Sequence, residues 1–156
     1  MALDRRAIAL AAAVAIAMPM EGLRRAWYVD PASIVTVCWG HTGPDIDKSK
    51  VYSHDECKRM LNADMLKAID AVERCQPGLP PTVLASFADI TFNAGPTAAC
   101  DTSKSTAARF LRAKDYKSAC DQLLRWQYAR VAGVMVALPG LTKRRALERD
   151  LCLSGL

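Results

Sequence analysis

The sequence of 156 residues predicts a single α+β domain that is mostly helical, with a small β-hairpin or meander in its N-terminal third. Apolar residues recur at helical spacing over most of the chain after residue 53. Between residues 33 and 52, by contrast, β-branched residues mix with Gly-Pro-Asp turn signals. A chain of this length supports one hydrophobic core, and no segment indicates a second globular domain.

An apolar run at residues 7–20 follows Arg5 and Arg6 and ends at Glu21. As a helix it would span about 21 Å, whereas a bilayer core needs roughly 30 Å. It is therefore short for a membrane anchor, and it resembles the core of a signal peptide, with an A-x-A cleavage pattern at 15–17. The positive flank favours a cytoplasmic start. A core helix of the folded protein is disfavoured, because the run has no polar face.

Local signals predict the remaining elements. Helical spacing continues from Glu21 to Tyr28, and Pro31 ends that helix. Ser53 and Glu56 form an S-x-x-E capping box, which predicts a helix from Ser53 to about Cys75. Further helices are expected over residues 82–93, 106–113, 116–130 and 142–153, and residues 131–140 are compatible with a short helix or a loop.

Charge and cysteine content narrow the class of protein. The net charge of +5 favours an anionic partner such as nucleic acid, a membrane surface or the bacterial cell wall, although a solvated basic face is the commoner explanation. The six cysteines are even in number and widely scattered, which fits disulfides and an oxidising compartment better than buried free thiols. No pair has metal-site spacing and only two histidines exist, so no metal and no cofactor is expected.

The segment "EGLRRAWYVDPASIVTVCWGHTG", residues 21–43, contains the candidate chemistry. Glu21 ends a predicted helix, Asp30 follows a turn and Thr36 lies on the first predicted strand. Two carboxyls on opposite walls of a cleft suit glycoside hydrolysis, in which one donates a proton and the other activates water or stabilises a cationic sugar. Glu21, which adjoins an apolar helix, is the better candidate for the acid. Residue types alone are weak support, since carboxylates nine residues apart are common.

The order and spacing of these residues resemble the active-site signature of phage T4-type lysozymes, glycoside hydrolase family 24. The matching positions are Glu21-Gly22, Tyr28, Asp30, Thr36 and Gly40-His41-Thr42. The resemblance continues through residues 86–95, 119–129 and 138–153, so that it covers nearly the whole chain after residue 20. It implies a lysozyme-like fold and hydrolysis of the β-1,4 bond between N-acetylmuramic acid and N-acetylglucosamine in peptidoglycan.

The resemblance also assigns roles to residues. Glu21 would be the general acid, and Asp30 together with Thr36 would place and activate the water, in a family that is generally taken to invert at the anomeric carbon. Tyr28 and His41 would support the hairpin near Asp30 rather than take part in the chemistry. The family's substrate-cleft positions correspond to Phe92, Asn93 and Ser105. For Phe92, core packing is an equally good interpretation.

Two departures from the family pattern concern glycine. Ser33 and Cys38 stand where the family usually has Gly. Cys38 is typical of a subgroup, the endolysins with a signal-arrest-release segment. Such a segment sends the enzyme through the secretion channel, holds it in the inner membrane, and later releases it into the periplasm. By this resemblance residues 1–20 form that segment and residues 21–156 form the catalytic domain, which we expect to be a monomer when active.

The subgroup also suggests how the cysteines are used. Residues 1–37 contain no cysteine, so control by topology is expected rather than control by thiol exchange. The six cysteines would then be structural. The expected pairs, chosen from elements that should lie next to each other among fifteen possible arrangements, are Cys38–Cys57, Cys75–Cys100 and Cys120–Cys152.

Two rival interpretations remain at this point. A lytic transglycosylase cleaves the same bond with one acidic residue, and the presence of Asp30 and Thr36 argues against it. A non-enzymatic membrane-disrupting protein would use the apolar N-terminus and the basic stretch at residues 142–150. Nucleic-acid binding has only the net charge in its favour, and no nucleic-acid partner is expected.

Overall fold

The computed structural model describes residues 4–156, so the first three residues of the predicted N-terminal segment lie outside the described part. The predicted α+β fold is confirmed. In chain order the elements are α1 (Arg5–Glu21), β1 (Arg24–Val29), β2 (Val35–Cys38), β3 (His41–Thr42), α2 (His54–Cys75), α3 (Pro81–Ala94), α4 (Thr97–Cys100), α5 (Thr106–Arg112), α6 (Tyr116–Gln122), a 3-10 helix (Leu123–Trp126), β4 (Tyr128–Val131), β5 (Val134–Ala137) and α7 (Pro139–Ser154).

Helix α3 is the centre of the core. Every residue from Val83 to Thr91 is buried, and α1, α2 and α7 all pack around this helix. The prediction of a buried helix over residues 82–93 is therefore confirmed. The capping box that begins α2 is also present, because Ser53 Oγ accepts a hydrogen bond from Glu56 N at 3.1 Å and the Glu56 side chain accepts one from Ser53 N at 2.7 Å.

Helix α1 packs into the core, so the expectation that disfavoured a core helix here is wrong. Most of the buried side chains on its inner side are small, with Ala9, Ala13 and Ala17 completely buried beside the nearly buried Val14 and Ile16. Small side chains let the helix approach α3 closely. The outward positions at residues 7, 11 and 15 are alanines too. Because each alanine exposes little apolar surface, the helix can face water without a polar stripe.

The segment after Glu21 is a strand and not the predicted continuation of the helix. Gly22, with φ +67°, ends α1 in a conformation that glycine adopts readily. β1 then pairs antiparallel with β2, and β2 pairs with β3. Four residue steps along β1, from Arg24 to Tyr28, face only two along β2, so β1 carries a bulge that bends it.

The second error of the sequence-based assignment lies between α6 and α7. The helix expected to reach residue 130 ends at Gln122, and a 3-10 helix follows it to Trp126. Residues 128–137, partly expected as a helix or loop, form the β4–β5 hairpin. Its two-residue turn, Ala132-Gly133, has φ values of +49° and +82°, and two positive φ values match the twist of a tight hairpin.

Three disulfides link the elements, and they are the three predicted pairs. Cys38–Cys57 joins β2 to α2, Cys75–Cys100 joins α2 to α4, and Cys120–Cys152 joins α6 to α7. Between residues 4 and 156, none of the helices combines the length and the apolar character needed to cross a membrane.

Candidate active site

Glu21 lies at the end of α1, where its carboxylate meets two other parts of the fold. Oε1 accepts a hydrogen bond from Arg144 Nη1 of α7 at 2.5 Å, and the Glu21 side chain is 22% exposed. Oε2 faces Gly40, in the turn between β2 and β3, so closely that a Cβ at Gly40 would lie 3.0 Å from it. The Glu21 carboxyl group therefore lies at a point where α1, α7 and the hairpin turn converge.

Asp30 lies at the turn between β1 and β2. Oδ1 accepts hydrogen bonds from the backbone N–H groups of Ala32 and Ile34, at 2.8 and 2.9 Å. Among residues 4–156, no hydrogen bond to Oδ2 is found. Thr36 is buried on β2, opposite Tyr28, and its hydroxyl donates to Ile34 O at 3.0 Å. The backbone thus orients both side chains, while Asp30 keeps one oxygen available and Thr36 keeps lone pairs that can accept.

Arg144 and Asp89 are residues that the sequence analysis missed. Arg144 Nε and Nη2 donate to the two carboxylate oxygens of Asp89 on α3, both at 2.8 Å, beside the bond from Nη1 to Glu21. Burial lowers the pKa of Arg144, but the hydrogen bonds and charges of Asp89 and Glu21 outweigh it and raise that pKa above its ordinary value. Arg144 therefore stays charged. The signal for this contact was a single charged residue, Asp89, inside a helix predicted to be buried, since a buried carboxylate needs a partner.

Comparison with known proteins decides the family. The phage lysozyme family model matches residues 18–148, which include Glu21, Asp30, Thr36 and Arg144. The chain belongs to the phage lysozyme family. It is therefore a glycoside hydrolase of the lysozyme type, and its substrate is peptidoglycan.

Named relatives and a solved structure agree with this assignment. The SAR-endolysin of Bacteriophage PS119 is 38% identical over 137 residues, covering 87% of this chain and 78% of its own. The SAR-endolysin of Escherichia phage Mu is 40% identical over 130 residues, covering 83% and 71%. The solved endolysin of the Escherichia coli phage FAHEc1 superposes with a TM-score of 0.79 at 26% identity, covering 100% of this chain and 96% of that one.

His41 of this lysozyme binds Asp64 on α2 and Asp45 in the loop after β3, rather than the residues expected as its neighbours. Nδ1 lies 2.7 Å from Asp64 Oδ2, and Nε2 lies 3.0 Å from both carboxylate oxygens of Asp45, whereas the resemblance suggested Asp30 and Tyr28. Burial lowers the pKa of His41, but the hydrogen bonds to Asp64 and Asp45 outweigh it, so the pKa lies above its ordinary value. The predicted structural role fits these contacts, with different partners. Tyr28 instead lies under the Arg24 guanidinium, 4.4 Å from its ring centre.

The three predicted substrate-cleft residues occupy three different places. Asn93 lines the same cavity as Glu21, about 310 Å³ in volume, together with Arg144 and residues around Gly140. Phe92 lines a second cavity, of about 400 Å³, which Gly40 also lines. These two residues therefore flank Glu21 through its two contacts, Arg144 and Gly40.

Ser105 stands apart from the other two. It is buried at the start of α5, where its hydroxyl donates to Ala98 O at 2.7 Å and accepts from Ala108 N at 3.1 Å. It lines a separate cavity of about 390 Å³, beside Trp126 and Tyr128. With its hydroxyl committed as a helix cap, Ser105 is better suited to shaping that wall than to binding a sugar.

Proposed function

We propose that this lysozyme cleaves the β-1,4 bond between N-acetylmuramic acid and N-acetylglucosamine with Glu21 as general acid and with Asp30 and Thr36 placing the water. The observation that carries the proposal is the pair of contacts at Glu21. Arg144 occupies Oε1, so the transferable proton belongs on Oε2, which faces the glycine at the cavity edge. A glycosidic oxygen can reach this side because Gly40 has no side chain.

The acid step moves one proton and breaks one bond. The proton passes from Glu21 Oε2 to the glycosidic oxygen as that oxygen leaves the anomeric carbon. A water molecule held by Asp30 and Thr36 then supplies the hydroxyl at that carbon and gives its proton to Asp30. The available oxygen of Asp30 and the accepting lone pairs of Thr36 support this assignment.

The test is Glu21→Gln, measured as clearing of Gram-negative cells whose outer membrane has been stripped. We expect loss of at least about a hundredfold in rate, since a glutamine cannot donate the proton. Glu56→Gln, the same change in the capping box of α2, is the matched control and should clear cells at the wild-type rate. Clearing by Glu21→Gln at the wild-type rate would favour the membrane-disrupting alternative. Mass spectrometry of the products separates hydrolysis from transglycosylation, which would leave a 1,6-anhydro sugar.

We also propose that residues 1–20 hold the enzyme in the inner membrane before release. The catalytic domain, residues 21–156, would become active only after this segment leaves the membrane and packs against the domain as α1. The SAR-endolysin relatives and the alanine-rich surface of α1 support this idea. An apolar helix that is alanine on its outer face loses little on leaving lipid for water. While it is embedded, Glu21 would lie at the membrane face, away from Asp30.

The mass of the protein recovered from membrane and soluble fractions tests this second proposal. An uncleaved chain in both fractions is the expected result. A soluble product that begins at Met18 would indicate cleavage after Ala17 by signal peptidase and would overturn the uncleaved-anchor interpretation.

A further inference from the structure

Four charged side chains are completely or almost completely buried between α3 and α7. Asp89, Arg145 and Glu148 have 0% exposure and Arg144 has 3%. We call these four residues the α3–α7 charge cluster. Burying a charge costs several kcal/mol, and pairing offsets that cost only with good geometry, so stability alone is a weak explanation for such a group.

Pairing within the charge cluster follows a simple division. Arg144 makes its two-point contact with Asp89, at 2.8 Å for both hydrogen bonds. Arg145 Nη1 lies 3.0 Å from both oxygens of Glu148, and Arg145 Nη2 donates to Asn93 Oδ1. Each guanidinium thus has its own buried carboxyl before Glu21 is counted.

Glu21 touches the charge cluster through Arg144 alone. Arg144 lies 3.9 Å from Glu148 Oε1 and has the Phe92 ring 5.9 Å from its guanidinium carbon. From the hairpin side Glu21 faces the backbone at Gly40, and from α3 it faces the amide of Asn93 across the cavity. Of these groups only Arg144 carries a charge.

An isolated arginine in this position would oppose the proposed chemistry. A guanidinium beside a carboxyl favours the ionised carboxylate, and a general acid must hold its proton until the glycosidic bond breaks. Asp89 offsets that effect because it places a full negative charge on the other edge of the same guanidinium. Arg144 can then orient Oε1 while its own charge is balanced by Asp89.

We propose that Asp89, assisted by Glu148, is a positioning residue for the acid step, which holds and neutralises the arginine that orients Glu21. This inference rests on Glu21 being the general acid. It concerns residues that touch neither substrate nor the reacting atoms, and it predicts an effect on the pH profile rather than on folding alone.

The decisive variant is Asp89→Asn, studied through the pH dependence of kcat on peptidoglycan. Removing the carboxylate leaves Arg144 uncompensated beside Glu21, so the acid loses its proton at lower pH. The high-pH limb of the kcat profile should move to lower pH by about one unit or more, which is the shift that a nearby charge causes in the pKa of a carboxyl group. At pH values above the limb, kcat should fall about tenfold while KM changes little.

Asp121→Asn is the matched control. Asp121 also accepts a hydrogen bond at 2.8 Å from an arginine of α7, Arg149, but both side chains are 35% exposed and neither forms a hydrogen bond or an ion pair with Glu21. The limb should stay at its wild-type position. A shift as large as that of Asp89→Asn would mean that any Asp–Arg pair on α7 has this effect, and it would overturn the inference.

A double variant that removes both charges gives a second readout, which does not depend on the stability of the single variant. In the double variant Asp89→Asn with Arg144→Gln, both charges are gone and Glu21 again faces a balanced neighbour. Its limb should return to within about 0.3 pH units of wild type, although kcat stays low because the orienting hydrogen bond is lost. A limb displaced by one unit or more in the double variant would overturn the inference.

Glu148→Gln distinguishes the two carboxyls. Burial raises the pKa of Glu148 well above its ordinary value, Asp89 adds to the shift, and Arg145 and Arg144 oppose it. Because Glu148 Oε1 lies 3.9 Å from Arg144, farther than the 2.8 Å contacts of Asp89, we expect a smaller downward shift than for Asp89→Asn. A larger shift would contradict the leading role of Asp89.

The same assay separates this inference from the proposed function. Wild-type activity with an inactive Glu21→Gln establishes the acid in the same experiment. If Asp89→Asn then folds and loses activity with an unmoved limb, Asp89 is purely structural and only the further inference fails.

Discussion

Gly40 controls the space around the proposed acid. A Cβ there would lie 3.0 Å from Glu21 Oε2, on the side where the proton belongs. We expect Gly40→Ala to lower kcat at least about tenfold, because the added methyl group displaces the carboxylate by a few tenths of an ångström and narrows its approach. The measurement is kcat on purified peptidoglycan.

Gly78→Ala is the control for backbone strain in that experiment. Gly78 has a positive φ of +80°, similar to the +73° of Gly40, but nothing lies within 4 Å of an added Cβ. It should lose about 1 kcal/mol of stability and keep its kcat. Equal losses of kcat in the two variants would show that strain, and not the contact with Glu21, is responsible.

Ser33 occupies a turn position that suits glycine. Its φ is +65°, and Cys38, the other departure from the family's glycines, has +61°. We expect Ser33→Gly to raise the free energy of unfolding by about 1 kcal/mol, because the left-handed conformation costs a side chain roughly that much. Urea unfolding measures the change. Ala32→Gly, the neighbouring exposed position without a positive φ, should lower stability instead; a gain there would refute the explanation.

At the residue scale, the sequence could suggest the candidate reacting groups but not the groups that contact them. Glu21, Asp30 and Thr36 lie within sixteen residues of one another, so their spacing was visible in one segment. Arg144 is 123 residues from Glu21, and its partner Asp89 is 55 residues from it. Such contacts exist only after the helices pack, so the local pattern could indicate that a buried Asp89 needs a partner but not which residue that partner is.

His41 and Asp64 connect the small sheet to α2, and the strength of this connection depends on pH. Because the pKa of His41 is raised in the folded protein, the stabilisation is fully present below about pH 6.5 and is lost as the pH rises through the higher folded value. We expect Asp64→Asn to cost about 1.5–3 kcal/mol at pH 5.5 and clearly less at pH 9. Chemical unfolding at the two pH values measures this difference.

Asp70→Asn is the control for that comparison. Asp70 also lies on α2, but its partner is Arg6, at 2.6 Å, and an arginine stays charged at both pH values. Its loss of stability should therefore be the same at pH 5.5 and pH 9. If Asp64→Asn behaves in the same pH-independent way, His41 does not carry the charge assigned to it.

The elements that the sequence mispredicted are those in which long-range pairing overrides local spacing. Residues 24–29 have helical periodicity, yet they form β1 because Gly22 ends α1 and β2 offers a partner strand. The β4–β5 hairpin had a readable signal, two valines flanking Ala132-Gly133, but alanine is an unusual residue at a positive φ. The helices with caps or breakers at their ends, α2 and α3, were predicted to within about a residue or two.

The three disulfides decide in which compartment the whole molecule can fold. They close loops with sequence separations of 19, 25 and 32, and each is worth about 3–4 kcal/mol on chain-entropy grounds. Together they amount to about 10 kcal/mol, comparable with the whole stability of a typical domain, about 5–15 kcal/mol. We expect the reduced chain to remain unfolded and inactive at 37 °C.

Refolding from denaturant with and without a reductant tests this expectation, with far-UV circular dichroism and muramidase activity as readouts. Mass spectrometry after alkylation confirms that all six thiols are free in the reduced sample. Recovery of full activity at an unchanged melting temperature in the reductant would contradict the assigned role. The pairing itself could be predicted because each bridge joins elements that were expected to be neighbours.

Helix α1 is fixed by charge at both ends. In the first turn of α1, Arg5 and Arg6 bind Glu73 and Asp70 of α2. In the last turn of α1, Glu21 binds Arg144 of α7. About 24 Å of helix separates these ends, and each residue turns by 100°. Docking one residue out of register would rotate Glu21 away from Arg144 and the two arginines away from α2 at the same time. The helix therefore has one rotational setting that satisfies both ends, and incomplete docking should give an inactive enzyme rather than a slower one.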